Sequence, residues 1–109
     1  TGGTKMYFPG AALYLGSKGA IEQFVRSLLR ELGPRNITVN TLSPGYTETD
    51  MFNQAAGETG NDLTNFGASQ SPFTRIGTAD EVAEVAVFLA SDAARWVTGQ
   101  NVQAGGGVV

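Results

Sequence analysis

Apolar residues recur at helical spacing over the first third of the chain. Between residues 21 and 32 they stand at intervals of three and four, which places their side chains on one face of an α-helix. We therefore predict a helix from about Ala11 to Leu32. Gly33-Pro34 ends it, because proline cannot continue a helix. The apolar face is expected to be core, and its members are Ile21, Phe24, Val25, Leu28, Leu29 and Leu32.

A run rich in β-branched residues follows this helix. Residues Asn36 to Ser43 read NITVNTLS and lie between Pro34 and Pro44, a pattern that predicts a buried strand. A helix, a short connection and a strand make up half of a βαβ unit. The sheet is therefore expected to be parallel.

Two further elements are predicted in the last third of the chain. Residues 78–81, Thr-Ala-Asp-Glu, have the form of a capping box and precede apolar residues at helical spacing, so we expect a helix that runs to about Ser91. Its two leading carboxylates are interpreted as favouring the helix dipole rather than as a catalytic pair. Residues 101–104 are a candidate strand, and the glycines at 105–107 are read as a turn.

No period holds between residues 52 and 72, where glycine and asparagine interrupt the apolar residues. A segment of this length without regular structure is usually a functional lid or a disordered loop. Its dispersed apolar side chains would let it close over an apolar substrate. A surface loop with short helical turns is the alternative.

The composition narrows the chemistry. The 109 residues carry a formal net charge of −3, with no cysteine, no histidine and no basic run. A nucleic-acid partner is therefore not expected, and neither are disulfides, thiol chemistry or a metal site. Proton transfer is left to Tyr, Lys, Asp or Glu. The chain shows no signal peptide and no apolar stretch long enough to cross a bilayer, so we expect no membrane partner and a cytoplasmic location.

A tyrosine and a lysine stand four residues apart where the long helix begins. Side chains at i and i+4 share a helix face, about 5–6 Å apart at Cβ, so Tyr14 and Lys18 are expected to face the same space. An ammonium group beside a phenol stabilises the phenolate, which would suit the phenol to acid–base catalysis near neutral pH. The alternative is a solvated tyrosine beside a surface lysine.

Pro44-Gly45 stands where the predicted strand ends, and a hydroxyl-rich segment follows it. In open α/β sheets, ligands bind outside the carboxyl ends of the strands. The loop is therefore a candidate site for an amide or a phosphate group. A Pro-Gly turn with capping threonines would explain the same residues without a ligand.

Taken together, these motifs resemble the C-terminal half of a classical short-chain dehydrogenase/reductase. The resemblance rests on the order of Tyr14-x-x-x-Lys18, NITVNTLSPG, Thr49, RIGTADEVAEVAVFLASDAARWVTGQ and a final glycine-rich turn. It implies an α/β fold, the C-terminal part of a Rossmann-like doubly wound parallel sheet. Residues 1–109 would be the catalytic and substrate half of one domain, with the N-terminal dinucleotide-binding half absent.

The resemblance also implies roles for individual residues. Tyr14 would be the acid or base in hydride transfer between NAD or NADP and a ketone or secondary alcohol. Lys18 would make that phenol more acidic and bind the nicotinamide ribose. Thr1 stands near the place of the family's catalytic serine, and its hydroxyl can both donate and accept. The implied cofactor-binding positions are Tyr14, Lys18, Pro44, Gly45, Thr47 and Thr49.

A homo-oligomer, dimer or tetramer, is implied as well, with the Tyr14 helix at a subunit interface and the last strand at a sheet edge. Without the dinucleotide-binding half, the chain alone is expected to be inactive. The alternative function is that of a non-catalytic fragment, which buries its sheet edge and apolar helix faces by pairing with another copy.

Overall fold

The computed structural model describes residues 9–57 and 60–108, and in these ranges one α-helix precedes the first strand and three lie between the two strands. Short 3-10 helices, Gly33–Arg35 and Asp92–Ala94, follow the first and the last α-helix. The predicted α/β class is confirmed. The elements are α1 (Ala12–Leu32), β1 (Thr41–Pro44), α2 (Asp50–Ala56), α3 (Gly60–Gln70), α4 (Ala79–Leu89) and β2 (Asn101–Ala104).

The two strands are parallel, as predicted. Thr41 pairs with Asn101 and Pro44 with Ala104, so both carboxyl ends lie at the same edge of the sheet. Helices α1 and α4 both contact β1. Helix α1 therefore packs on the same strand that leads into the Pro44-Gly45 loop.

Helix α1 matches its predicted bounds to within one residue. It passes at Gly33 into the 3-10 turn that holds Pro34, and Asn36 closes that turn in the left-handed region at φ 56°. Asparagine tolerates this conformation better than most residues. Among the described residues no helix, α1 included, is both long and apolar enough to cross a membrane.

The apolar face of α1 is less buried than predicted. Val25 is 8% exposed, but Ile21 is 47% and Phe24 is 64% exposed. Leu28, Leu29 and Leu32 are half-buried. The reason is the width of the sheet, since two strands cover only part of the face of a 21-residue helix. The prediction that all six residues form core was therefore wrong for this chain.

The strand predicted at 36–43 is shorter and later, at 41–44. Before it, Asn40 makes side-chain hydrogen bonds in place of ladder bonds. Its amide donates to the Val97 carbonyl at 2.8 Å, and its carbonyl oxygen accepts from the Gln100 amide at 3.0 Å. Pairing along the ladder therefore starts only at Thr41, whose N–H bonds the Gln100 carbonyl at 2.8 Å.

The segment predicted to lack structure, 52–72, is largely helical. Helix α2 is capped by Thr49, whose hydroxyl accepts from the Phe52 amide at 3.1 Å. Helix α3 packs on α2 and presents Phe66 edge-on to Tyr46, with ring centroids 6.0 Å apart. Gly67 lets the Tyr46 ring approach, because a Cβ there would lie 2.9 Å from that ring. These contacts stabilise α2 and α3, although their sequences lack the apolar period of an amphipathic helix.

Helix α4 begins with the predicted capping box. The Thr78 amide donates to the Glu81 carboxylate at 2.9 Å, and the Thr78 hydroxyl accepts from the Glu81 amide at 3.3 Å. The helix ends at Leu89, two residues before the predicted Ser91. The interpretation of the leading carboxylates as helix chemistry therefore holds for Glu81.

Candidate active site

Tyr14 and Lys18 lie together near the start of α1. The helix is established from its first turn, where the Leu15 amide bonds the Ala11 carbonyl at 2.8 Å. The Lys18 Nζ atom stands 5.2 Å from the centroid of the Tyr14 ring, within the range of a cation–π contact. Tyr14 is half exposed. The i, i+4 spacing thus brings the phenol and the ammonium group into contact at an accessible surface.

The loop after β1 leaves the sheet through a tight backbone crossing. The Gly45 amide donates to the Ala104 carbonyl at 3.2 Å. A Cβ at Gly45 would lie 2.6 Å from the Gly105 Cα, a distance that no side chain tolerates. Pro44 and Gly45 are therefore held against the glycine-rich turn that follows β2.

Thr47 lies almost buried beside this crossing and forms a parallel bridge with Gly77. The Glu48 amide bonds the Gly77 carbonyl at 2.9 Å, and the Gly77 amide bonds the Tyr46 carbonyl at 2.9 Å. In a parallel bridge the residue between those two bonds points its own amide and carbonyl to the other side. The Thr47 backbone is therefore directed away from Gly77.

The donor groups of these elements fit the polar part of a nicotinamide nucleotide. Within the described ranges, neither the Lys18 ammonium nor the hydrogen of the Thr49 hydroxyl has a protein acceptor, although that hydroxyl oxygen caps α2. Ammonium and hydroxyl donors suit ribose oxygens and a carboxamide. The residues present thus fit the cofactor half that carries the nicotinamide.

The structure does not unite every predicted position. Tyr14 and Lys18 form one group, and residues 44–49 form another at the carboxyl end of β1. No hydrogen bond or ion pair among the described residues joins the two groups. Thr1 lies outside the described residues.

A polar chain from the sheet to α1 was not predicted from the sequence. The Ser43 hydroxyl donates to the Asn101 side-chain oxygen at 2.7 Å, and the Asn101 amide donates to the Glu22 carboxylate. Glu22 also lies 3.9 Å from Arg26, the i+4 partner that its sequence position suggests. From the sequence, Glu22 therefore looks like half of an exposed ion pair. In the structure its side chain is only 15% exposed.

A cavity of about 190 Å³ lies behind the loop, between α4 and the glycine turn. Arg75 and Glu81 form a two-bond ion pair on its wall, at 2.8 and 2.5 Å. The Arg75 hydrogen bonds, followed by the one from the Thr78 amide, lower the pKa of Glu81 from 4.5 to about 2. Both side chains of the pair are about half exposed, and the pair fixes the start of α4 beside Gly77.

The chain resembles known oxidoreductases over its whole length. A family model described as enoyl-(acyl carrier protein) reductase matches residues 1–109. An uncharacterized oxidoreductase of Methylorubrum extorquens is 44% identical over 105 residues, covering 96% of this chain and 42% of that protein. The versicolorin reductase of Emericella nidulans is 44% identical over 107 residues, covering 91% of this chain and 40% of its own length.

A solved structure supports the same relationship. The angucycline C-6 ketoreductase LanV with bound NADP superposes with a TM-score of 0.82 at 36% identity. The superposition covers 99% of this chain and 40% of that one. The chain therefore spans about two fifths of the length of the relatives it matches.

Proposed function

The chain belongs to the short-chain dehydrogenase/reductase family, and from this membership we propose that it carries the acid–base machinery of an NAD(P)-dependent oxidoreductase. The substrate is a ketone or a secondary alcohol. The observation that carries the proposal is the contact of Lys18 with Tyr14 on one face of α1. General oxidoreductase function follows from the family, whereas the substrate and the residue roles are proposals.

Tyr14 is the proton donor and acceptor of the reaction. Its phenol gives a proton to the carbonyl oxygen during reduction and takes the hydroxyl proton during oxidation. When bound, the nicotinamide cofactor supplies or accepts the hydride. Lys18 stabilises the phenolate by its charge and donates hydrogen bonds to the ribose hydroxyls. Thr1 is proposed to orient the substrate oxygen through its hydroxyl.

The loop at the end of β1 holds the nicotinamide. Pro44 and Gly45 form its wall, because their backbone is fixed by the crossing with Gly105. Thr47 offers its outward-directed backbone to the carboxamide, and Thr49 donates its hydroxyl hydrogen. The bound NADP of LanV supports a nicotinamide nucleotide as the cofactor, and the choice between NAD and NADP is left to measurement.

We further propose that residues 1–109 are the C-terminal half of a Rossmann-type domain. The relatives' greater length supports this, since the chain spans about 40% of it. A cytoplasmic homo-oligomer remains the prediction for the whole protein. The second candidate function, a self-associating fragment, is favoured by one observation, the exposure of Leu13 (93%) and Phe24 (64%) on α1.

Turnover by the full-length protein tests the proposal. Reduction of ketones such as 2-tetralone is followed through NADH and NADPH absorbance. We expect Tyr14→Phe to lower kcat by roughly 10²–10⁴-fold while the cofactor Kd stays nearly unchanged, because the phenol ring is kept. Turnover retained by Tyr14→Phe would remove Tyr14 from its role.

A second variant addresses Lys18. Lys18→Met is expected to weaken cofactor binding and turnover together, because both the ribose contact and the charge beside the phenol are lost. Arg30→Met is the matched control, since it removes an exposed cation from the last turn of the same helix. Equal effects of the two substitutions would contradict the assignment.

A further inference from the structure

A series of side-chain hydrogen bonds connects α1 to both strands, and none of its residues takes part in the proposed proton or hydride transfer. It runs from Ser43 through Asn101 to Glu22. Ser43 is 3% exposed, and Asn101 is half-buried. These hydrogen-bonded side chains therefore lie in the small interior between α1, β1 and β2, where side chains have little freedom.

The hydrogen bonds define how Asn101 is oriented. An ionised carboxylate only accepts, so the Asn101 amide group must face Glu22. The Ser43 hydroxyl then donates to the Asn101 oxygen, at 2.7 Å. Asparagine offers a donor to one side and an acceptor to the other, whereas an ionised aspartate in its place would have no donor for Glu22.

Glu22 stands on the same helical stripe as the proposed catalytic pair. Tyr14, Lys18, Glu22 and Arg26 follow one another at i+4 spacing, which keeps them on one face. With a rise of about 1.5 Å per residue, Lys18 lies roughly 6 Å and Tyr14 roughly 12 Å along the axis from Glu22. If Glu22 is fixed on the sheet, a stiff helix also fixes Tyr14 and Lys18, both in their rotation about the helix axis and in their position along it.

We propose that Asn101 is a positioning residue, which through Glu22 fixes α1 on the sheet and so places Tyr14 and Lys18 relative to the loop at residues 44–49. The inference rests on the proposed function. Asn101 of β2 pairs with Thr41 of β1, and Ser43 of β1 lies just before that loop. The same three hydrogen-bonding groups thus join the helix with the proton donor to the strand with the nicotinamide loop.

The small cavity beside Glu22 is lined mostly by uncharged residues. Arg26, 3.9 Å away and 59% exposed at its side chain, is the other charged residue among those lining the small cavity beside Glu22. The remaining lining residues are uncharged, and they are Val25, Thr41, Gly99, Gln100 and Asn101. An exposed pair of this kind contributes little, so the hydrogen bond from Asn101 is the stronger of these two contacts of Glu22.

The test is Asn101→Asp in the full-length protein. It places two carboxylates within hydrogen-bond distance, and their repulsion should displace α1. Misplacement of catalytic groups by about 1 Å can cost up to 10²-fold in rate, so we expect kcat at about pH 7.5 to fall by roughly 10- to 100-fold. The cofactor KM should rise as well, because Lys18, which is proposed to bind the ribose, moves with α1. Asn36→Asp, the same chemical change at an exposed position beyond the end of α1, is the control and should leave kcat unchanged.

Two readouts separate positioning from a loss of folding. Carboxyl groups this close share a proton as the pH falls, so the deficit relative to wild type at the same pH should shrink from about pH 8 to about pH 5.5. The double variant Asn101→Asp with Glu22→Gln exchanges donor and acceptor. The new amide at position 22 would donate to the new carboxylate at position 101, and the Ser43 hydroxyl would still donate to that carboxylate. We expect this exchange to restore kcat to within roughly threefold of wild type.

Each remaining outcome is decisive. If Asn101→Asp turns over like wild type, or if the exchange restores the melting temperature without restoring kcat, the positioning role is overturned while the proposed function stands. If the wild-type protein reduces no ketone with either cofactor, the proposed function fails, and the positioning role fails with it.

Discussion

The backbone of Gly45 approaches Gly105 so closely that Gly45 has no room for a side chain on the facing side. The virtual Cβ of Gly45 lies 2.6 Å from one backbone atom of Gly105 and 2.8 Å from another. This contact holds the carboxyl ends of β1 and β2 together. The geometry of the proposed nicotinamide loop therefore depends on Gly45, a residue that contributes no functional group.

Gly45→Ala should be destabilising for this reason. We expect a loss of roughly 1–3 kcal/mol in the free energy of unfolding, as for other overpacked sites, measured by urea denaturation. Gly33→Ala is the matched control, because Gly33 has a helical φ of −53° and open space around its virtual Cβ. Equal stability of the two variants would contradict the close approach of the Gly45 backbone to Gly105.

The Thr49 hydroxyl has two tasks, which substitution can separate. Thr49→Val keeps the shape and removes the cap of α2, at a cost of about 1 kcal/mol, and it should also raise the cofactor Kd. Thr49→Ser keeps the hydroxyl and should retain both properties. A Kd unchanged in Thr49→Val would remove Thr49 from the proposed cofactor site.

Part of the candidate site could be predicted from the sequence. Tyr14 and Lys18 are four residues apart, so the helix period alone brings them together. The link from Asn101 to Glu22 could not be predicted, because it joins residues 79 apart and its helical member has an ordinary i+4 partner in Arg26. Local spacing reports on neighbours along one helix and carries no information on which strand lies beneath it.

At the scale of the elements, the start of α4 combines a capping box with an ion pair. Glu81 accepts from the Thr78 amide and from Arg75, which keeps the pKa of Glu81 at about 2, below its ordinary 4.5. The unfolded chain therefore binds this proton more readily than the folded chain. The stabilisation is present above about pH 4.5 and is lost as the pH falls toward 2.

The melting temperature should report this dependence. In Glu81→Gln we expect a lower melting temperature at neutral pH and a shallower decline between about pH 5 and about pH 2, because the titrating group is gone. Glu84→Gln, on the same helix and without an ion pair among the described residues, is the control. Parallel pH profiles for wild type and Glu81→Gln would contradict the role of the pair.

The elements differ in how well the sequence predicts them. Helices α1 and α4 follow from apolar periods and clear ends, at Gly33 and Thr78. The strand at residue 41 begins later than its composition indicates, because Asn40 takes over the hydrogen bonds of Val97 and Gln100. Helices α2 and α3 escape prediction, since they are held by a cap and by packing under Tyr46 rather than by an apolar stripe.

At the scale of the whole molecule, the chain is more extended than its length requires. Its radius of gyration is 15.4 Å, whereas a compact domain of this length has about 13 Å. Ile21 and Phe24 remain exposed on α1 although their spacing is that of a core face. Exposed apolar patches of this kind are typical of interaction surfaces.

Self-association of the 109-residue chain tests the second candidate function. Phe24→Glu should shift a concentration-dependent oligomer toward monomer in sedimentation velocity, because it places a charge in the apolar face. Gln23→Glu, which adds the same charge at a neighbouring exposed position, should not. A chain that stays monomeric at all concentrations would exclude the self-associating fragment.

The parallel pairing of β1 with β2 also determines the order in which contacts can form while the chain is synthesised. Thr41 pairs with Asn101, 60 residues further along the chain, so β1 leaves the ribosome long before its partner exists. At roughly 5–20 residues per second, the wait lasts roughly 3–12 s. During that time α1 is complete but lacks the hydrogen bond from Asn101 to Glu22, and the edge of β1 that pairs with β2 is open. The link from α1 to β2 through Glu22 and Asn101 can therefore form only after residue 101 has been made.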